Sequence, residues 1–283
     1  AGLTAKEVEA LVEKTEALAA YQSEPEKEED LERIPVLRRE DISREIEPIV
    51  NEEMNLAGIP VIFHEIETNG IGYLDVLFDI SGIREELIPY VGILQSVLGI
   101  IDTENYGYGE LFNEINMHTG GIGTSLEIYS DVTNIQEKAF RATFEIKGKA
   151  LYEKLPVVFS MMSEILTASR LTDTKRIKEI LAMSKSRLLM RFQSSGHTTA
   201  ALRAMSYASP SAKLKDMTNG IEFYQTVAHI EEHFEEEKDQ LAETLNSLAK
   251  QLFRPENMMI SYTASKEGLT GIEALIEGMK KSL

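Results

Sequence analysis

His229-Ile230-Glu231-Glu232-His233 is a literal match to the inverted zinc motif H-x-x-E-H. Two histidines four apart lie on one helical face and can both reach a zinc ion. The glutamate between them can act as general base toward a metal-bound water. Such a centre also needs a concave, partly dry setting and a third protein ligand. The surroundings argue for something blander. Phe223, Val227, Ile230, Phe234, Leu241, Leu245 and Leu248 form the apolar stripe, which leaves both histidines on its flank. Glu235, Glu236, Glu237 and Asp239 follow at once, the composition of an exposed helix. A solvated acidic helix with two surface histidines is the better reading, and a metal site at His229 and His233 is kept as a minor alternative.

The other chemistry-bearing residues give weaker signals. His64 falls in a strand pattern, His118 at a helix end and His197 after the break Ser194-Ser195-Gly196, where capping or a satisfied half-buried ring suffices. No G-x-S-x-G elbow surrounds the serines. Gly120-Gly121-Ile122-Gly123 joins a helix to a strand, the reverse of the order that cradles phosphate. Residues 170–216 carry ten Lys/Arg and three acids, with only Phe192 and Tyr207 as aromatics. A nucleic-acid groove would interleave more rings, so a basic face packed on an acidic neighbouring domain is expected instead.

The elements that must position these residues can be read from periodicity. Thr4-Ala5-Lys6-Glu7 is a capping box, and Val8, Leu11, Val12 and Leu18 recur at helical spacing, predicting a helix over 4–20. Its apolar stripe has no partner in the next thirty residues, and Ser23 to Asp30 reads as an acidic linker. After Gly58, β-branched runs at 59–67 and 71–80 flank Asn69-Gly70, a hairpin signal. Helices follow at 83–100, kinked at or restarting from Pro89, and at 107–118. Strand patterns return at 123–130 and 139–147. Helices are then expected at 150–168, 173–193, 197–208, 220–234 and 236–252, with a last strand at 257–264 and an amphipathic helix from 268. This order implies an α+β fold, an antiparallel sheet backed by helices, preceded by a helical arm and connector. The expected divisions are residues 1–50 for arm and linker, 51–265 for the α+β domain, and 266–283 as the start of a link onward.

Composition sets outer bounds. The 283 residues are 43% hydrophobic, enough for a sizeable core. With 29 basic and 47 acidic side chains the net charge is −18, which disfavours a general nucleic-acid binder. Half of that excess sits in residues 1–53. Cysteine is absent, so disulfides and thiolate chemistry are excluded. No apolar run approaches the roughly 20 residues that cross a bilayer, so no membrane partner is expected. The first residue is alanine, with no basic and apolar leader, so no signal peptide is visible and a piece of a longer protein is suggested.

Several phrases together resemble the pitrilysin/insulinase-type inverzincin metallopeptidases, in their presequence-protease and falcilysin branch. They are Tyr21-Gln22-Ser23-Glu24-Pro25 through Asp30-Leu31-Glu32-Arg33-Ile34-Pro35, similar to that branch's connector; Thr68-Asn69-Gly70-Ile71; Met117-His118-Thr119-Gly120-Gly121-Ile122; and Ser195-Gly196-His197 through Arg203, Ser206-Tyr207 and Ser209-Pro210. The match covers essentially the whole chain. The resemblance implies four related α+β domains closing around unfolded peptides, this chain being the connector arm plus the third. It places the zinc-motif slot at Gly92-Ile93-Leu94-Gln95-Ser96, where Gly92, Gln95 and Ser96 stand for His, Glu and His. Those three cannot hold zinc or activate water. The family's substrate-contacting Arg and Tyr belong to a fourth domain and are not carried onto Arg203 or Tyr207.

The resemblance further implies a non-catalytic segment of a zinc-dependent metalloendopeptidase, forming part of the chamber wall, with no catalytic residue, cofactor or metal of its own. Zinc would sit in the N-terminal half of the parent enzyme. The implied partners are the remaining domains and unfolded peptides, basic ones among them because of the acidity. The implied setting is a bacterial cytoplasm, with an organelle matrix as the alternative. The other reading is a catalytically dead paralogue working as a binding or assembly subunit.

Overall fold

The structure is a computed structural model that describes residues 2, 4–45, 48, 50–131 and 140–283. It divides into two compact units, 1–49 and 50–283.

The first unit contains helices α1 (Ala5–Ser23) and α2 (Glu28–Leu31) and buries none of their residues. The capping box forms at the start of α1: the Thr4 amide donates to the Glu7 carboxylate at 2.7 Å, and the Glu7 amide donates to Thr4 Oγ1. Val8, Leu11, Val12 and Leu18 share a helical stripe and are all exposed.

The second unit is α+β. Its six strands are β1 (Glu52–Leu56), β2 (Ile59–Glu65), β3 (Ile71–Asp79), β4 (Ile122–Ser130), β5 (Phe140–Leu151) and β6 (Met258–Ala264), in the order β1-β2-β6-β3-β5-β4. Every pair is antiparallel except β2 with β6, which is parallel. The expected hairpin around Asn69-Gly70 is therefore corrected. Both residues take the positive φ of a tight turn, 51° and 80°, and the Ile71 amide closes it on the Thr68 carbonyl. Yet β6 lies between β2 and β3. Met258, Ile260, Tyr262 and Ala264 give β6 a completely buried face, and the centre of the sheet is where such a strand loses most water. The tight hairpin is instead β1–β2, turning through Ala57-Gly58 with φ 53° and 82°. The span of β4 to β5 matches expectation at both ends; its turn, 132–139, lies outside the described residues.

The helices of this unit are α3 (Ile88–Val97), α4 (Tyr108–His118), α5 (Leu155–Thr167), α6 (Thr174–Ser194), α7 (Gly196–Ser206), α8 (Pro210–Asn219), α9 (Ile221–Glu232), α10 (Phe234–Leu252) and α11 (Ile272–Ser282). Pro89 sits in the first turn of α3, so the helix restarts there rather than kinking. The sequence reading missed α8, although Ser209 caps it and Pro210 opens it. Alternate strand residues such as Val61, Val76, Phe144, Ile146 and Ile260 form one core with α3, α5, α6, α9, α10 and α11. At Gly148 a Cβ would come within 2.7 Å of Met162, so the missing side chain lets α5 press onto β5. Residues 266–283, expected to begin a link, contribute Ile272, Ile276 and Met279 to this core, with α11 packed on α5.

Ten cations of the 170–216 tract find most of their partners within the unit. Lys178 pairs with Glu235 at 2.8 Å, Lys185 with Glu231, and Lys213 with Glu222 at 2.5 Å. The acidic neighbour expected for this tract is largely α9 and α10 of the same unit.

Candidate functional site

The slot on α3 is packed as a structural contact. A Cβ on Gly92 would lie 2.8 Å from the Phe223 ring and 3.0 Å from the Thr218 carbonyl oxygen, so no larger residue enters without displacing α8 or α9. Gln95 Nε2 donates to the Thr124 carbonyl at 3.0 Å, and Thr124 Oγ1 donates back to the Gln95 carbonyl at 2.9 Å, which ties α3 to β4. Ser96 Oγ donates to the Gly92 carbonyl at 2.9 Å. These polar atoms are spent on holding elements together.

A second cluster keeps α8 and α9 over the slot. Asp216, fully buried, accepts from Arg203 at 2.5 Å and from the Ile221 amide at 2.9 Å. The guanidinium of Arg203 also reaches Glu222 at 3.3 Å and lies over the Tyr207 ring, 5.0 Å from its centre. Arg203 and Tyr207 thus serve as packing and pairing groups within the helical layer.

The literal H-x-x-E-H is split by a helix boundary. His229 belongs to α9, whereas His233 is the junction residue before α10, with φ −102° and ψ 21°. The two rings lie 4.5 Å apart, His233 Nδ1 sits 3.0 Å from the His229 carbonyl oxygen, and His229 Nε2 is 3.2 Å from Glu237. That carbonyl favours the protonated ring and raises the pKa of His233; the nearby Glu232, Glu236 and Glu237 act the same way. Among the described residues no group of three His, Cys, Asp or Glu side chains is placed to hold a metal ion. The remaining histidines are separate: His64 on β2 bridges the Val50 carbonyl and Ser261, His118 ends α4 beside Glu114, and His197 is exposed near the start of α7.

The sheet face turned away from the core holds a charge cluster that sequence reasoning missed. Glu145 on β5 is fully buried and accepts from Tyr129 and Thr143, each at 2.6 Å. Its other oxygen lies 2.9 Å from the Lys147 ammonium, within ion-pair range but without an aligned hydrogen bond. Lys147 also approaches Glu127 at 3.4 Å and stands opposite Asp75 across the β3–β5 pair. Burial raises the Asp75 pKa, with Lys147 opposing and Glu145 and Glu127 reinforcing; burial and the bond to Glu145 push the Tyr129 hydroxyl up as well. Three carboxylates around one ammonium leave this patch negative. The alternation Ala142-Thr143-Phe144-Glu145-Ile146-Lys147 showed a polar face, but nothing in it marked Glu145 as buried.

A family model for the associated region of M16 peptidases, subgroup C, matches residues 1–230. The chain belongs to that family. Its presequence-protease-like character is seen in curated relatives. Protein HypA of Clostridium perfringens is 34% identical over 93% of this chain and 26% of its own length. Presequence protease 1, chloroplastic/mitochondrial, of Arabidopsis thaliana is 26% identical over 96% of this chain and 25% of its own length. The chain therefore spans about a quarter of these relatives. Among solved structures, a peptidase M16 inactive domain from Pseudomonas fluorescens superposes with a TM-score of 0.52 at 13% identity, covering 83% of this chain and 51% of that one. A conserved protein from Enterococcus faecalis V583 gives 0.57 at 11%, covering 81% and 52%. At these identities the likeness is one of fold. No helix among the described residues is long and apolar enough to cross a membrane.

Proposed function

We propose that this chain of the M16-associated family is a non-catalytic segment of a zinc-dependent metalloendopeptidase that degrades unfolded peptides. In this reading it forms part of the wall of the peptide chamber, while another segment supplies zinc and the water-activating base. The observation that carries it is the α3 slot. Gly92 is closed over by Phe223 and Thr218, and Gln95 and Ser96 are engaged in structural hydrogen bonds where a working centre needs two imidazoles and a carboxylate. The negative patch around Glu145, Glu127 and Asp75 supports the second half of the reading. On a chamber wall it would draw in basic peptides by a salt-sensitive field.

The test compares the isolated chain with the complete protein that contains it. Zinc content by elemental analysis and cleavage of a fluorogenic unfolded peptide should both be negative for the chain and positive for the whole. Robust metal-dependent turnover by the chain alone overturns the non-catalytic assignment. A whole protein that binds peptide but neither holds zinc nor cleaves favours the dead-paralogue alternative instead.

A further inference from the structure

A cavity of about 800 Å³ opens between α3, β4, α6 and α8. Its lining contains three cations, Arg187, Arg191 and Lys215, and no carboxylate, although the chain carries 47 acids and a net charge of −18. Arg191 is engaged by the side chain and carbonyl of Asn219. Arg187 and Lys215 are exposed and make no hydrogen bond or ion pair among the described residues, in contrast to the paired Lys178, Lys185 and Lys213 of the same tract. Below the cations the walls are apolar, with Leu98, Leu188 and Leu214 among them. An apolar hollow rimmed by unpaired cations fits a ligand with an apolar body and an anionic end.

The shape of that body is indicated by β4, the outermost strand of the sheet. Residues 122–126 line the cavity without a gap, so it runs along the strand's edge rather than over one face. The bond from Gln95 Nε2 to the Thr124 carbonyl fixes which main-chain groups point outward. In an antiparallel pair both groups of alternate residues point the same way, so Leu126 and Ile128 also present N–H and C=O to the outside. None of these four groups has a main-chain partner on that side among the described residues. Unpaired strand edges accept extended peptides.

We infer that the cavity binds the carboxyl-terminal end of an extended apolar peptide. The peptide main chain pairs with Leu126 and Ile128, its apolar side chains fill the hollow, and Arg187, Arg191 and Lys215 hold the free α-carboxylate. The choice of a peptide over another carboxylate rests partly on the proposed peptide-handling role. The measurement is binding to the 283-residue chain without zinc or cleavage, so its failure leaves the non-catalytic reading untouched.

The probe is an N-acetylated, fluorophore-labelled pentapeptide of alternating valine and threonine ending in leucine, made as free acid and as C-terminal amide. Fluorescence anisotropy should show the acid bound about tenfold or more tightly than the amide, as expected for a charge-assisted contact. The preference should shrink between low and high salt. The double variant Arg187→Gln/Lys215→Gln should abolish the preference while leaving the melting temperature unchanged, since both side chains are exposed and unpaired. Lys215→Gln alone, at one end of the tract, should reduce it. Equal binding of acid and amide, or a preference that survives the double variant, overturns the inference. Decanoate that binds more tightly than the peptide acid and displaces it overturns the assignment of a peptide.

Discussion

The α3 slot and the α9–α10 junction are two places where a metal centre could have been built, and they fall short in opposite ways. At the slot the surroundings are concave and dry, with Gly92 under Phe223 and Gln95 tied to β4, but the atoms are wrong. At the junction the atoms are right, two imidazoles and carboxylates, but His229 is 61% exposed in its side chain and His233 spends a ring nitrogen on the carbonyl of its own helix. Metal chemistry needs ligand type and an enclosing, orienting shell together. A motif in the sequence reports the first requirement only.

Four variants probe this contrast, and the largest effect falls on the support of the slot. Asp216→Ala removes a fully buried carboxylate bonded to Arg203 and to the Ile221 amide. Breaking such a pair should cost about 3–5 kcal/mol in denaturant unfolding. A loss near zero would show that α8 and α9 need no such tie. Next comes Gly92→His, which restores the first letter of the motif in a space where even a Cβ meets Phe223 at 2.8 Å. Overpacking should lower stability by about 3 kcal/mol, and calorimetric zinc titration should show no gain in affinity. A stable, zinc-binding Gly92→His chain breaks the comparison outright.

Smaller still is Gln95→Leu, which leaves the Thr124 carbonyl without its donor. About 1 kcal/mol should be lost. The least effect is expected at the junction, where pH sharpens it. The pKa of His233 is raised above its ordinary value of 6.5, so its contribution is fully present below that value and disappears as pH rises through the raised one. His233→Ala should therefore lower the melting temperature slightly at about pH 5.5 and leave it unchanged at about pH 9. A pH-independent loss would mean that packing, rather than protonation, holds this residue.

Much of the architecture was written in local patterns. The Thr4–Glu7 cap, the alternation along β5, the apolar spacing of α9 and α10 and the proline opening α3 depend on neighbours a few residues apart, so periodicity exposes them. The slot residues Gly92, Gln95 and Ser96 were also legible, because their side chains lack metal-binding and proton-transfer chemistry wherever they lie.

Tertiary structure decided the rest. Insertion of β6 between β2 and β3 joins segments nearly two hundred residues apart, and the Asn69-Gly70 turn looks the same whether or not its strands pair. The burial of Glu145, the cation-rimmed hollow beside β4 and the pairing of the basic tract with α9 and α10 likewise depend on which surfaces meet. The sequence by itself settled what each segment prefers and which side chains can react. Only the folded chain settled which of them lose their water and gain a partner, because desolvation and charge pairing arise between elements distant in sequence.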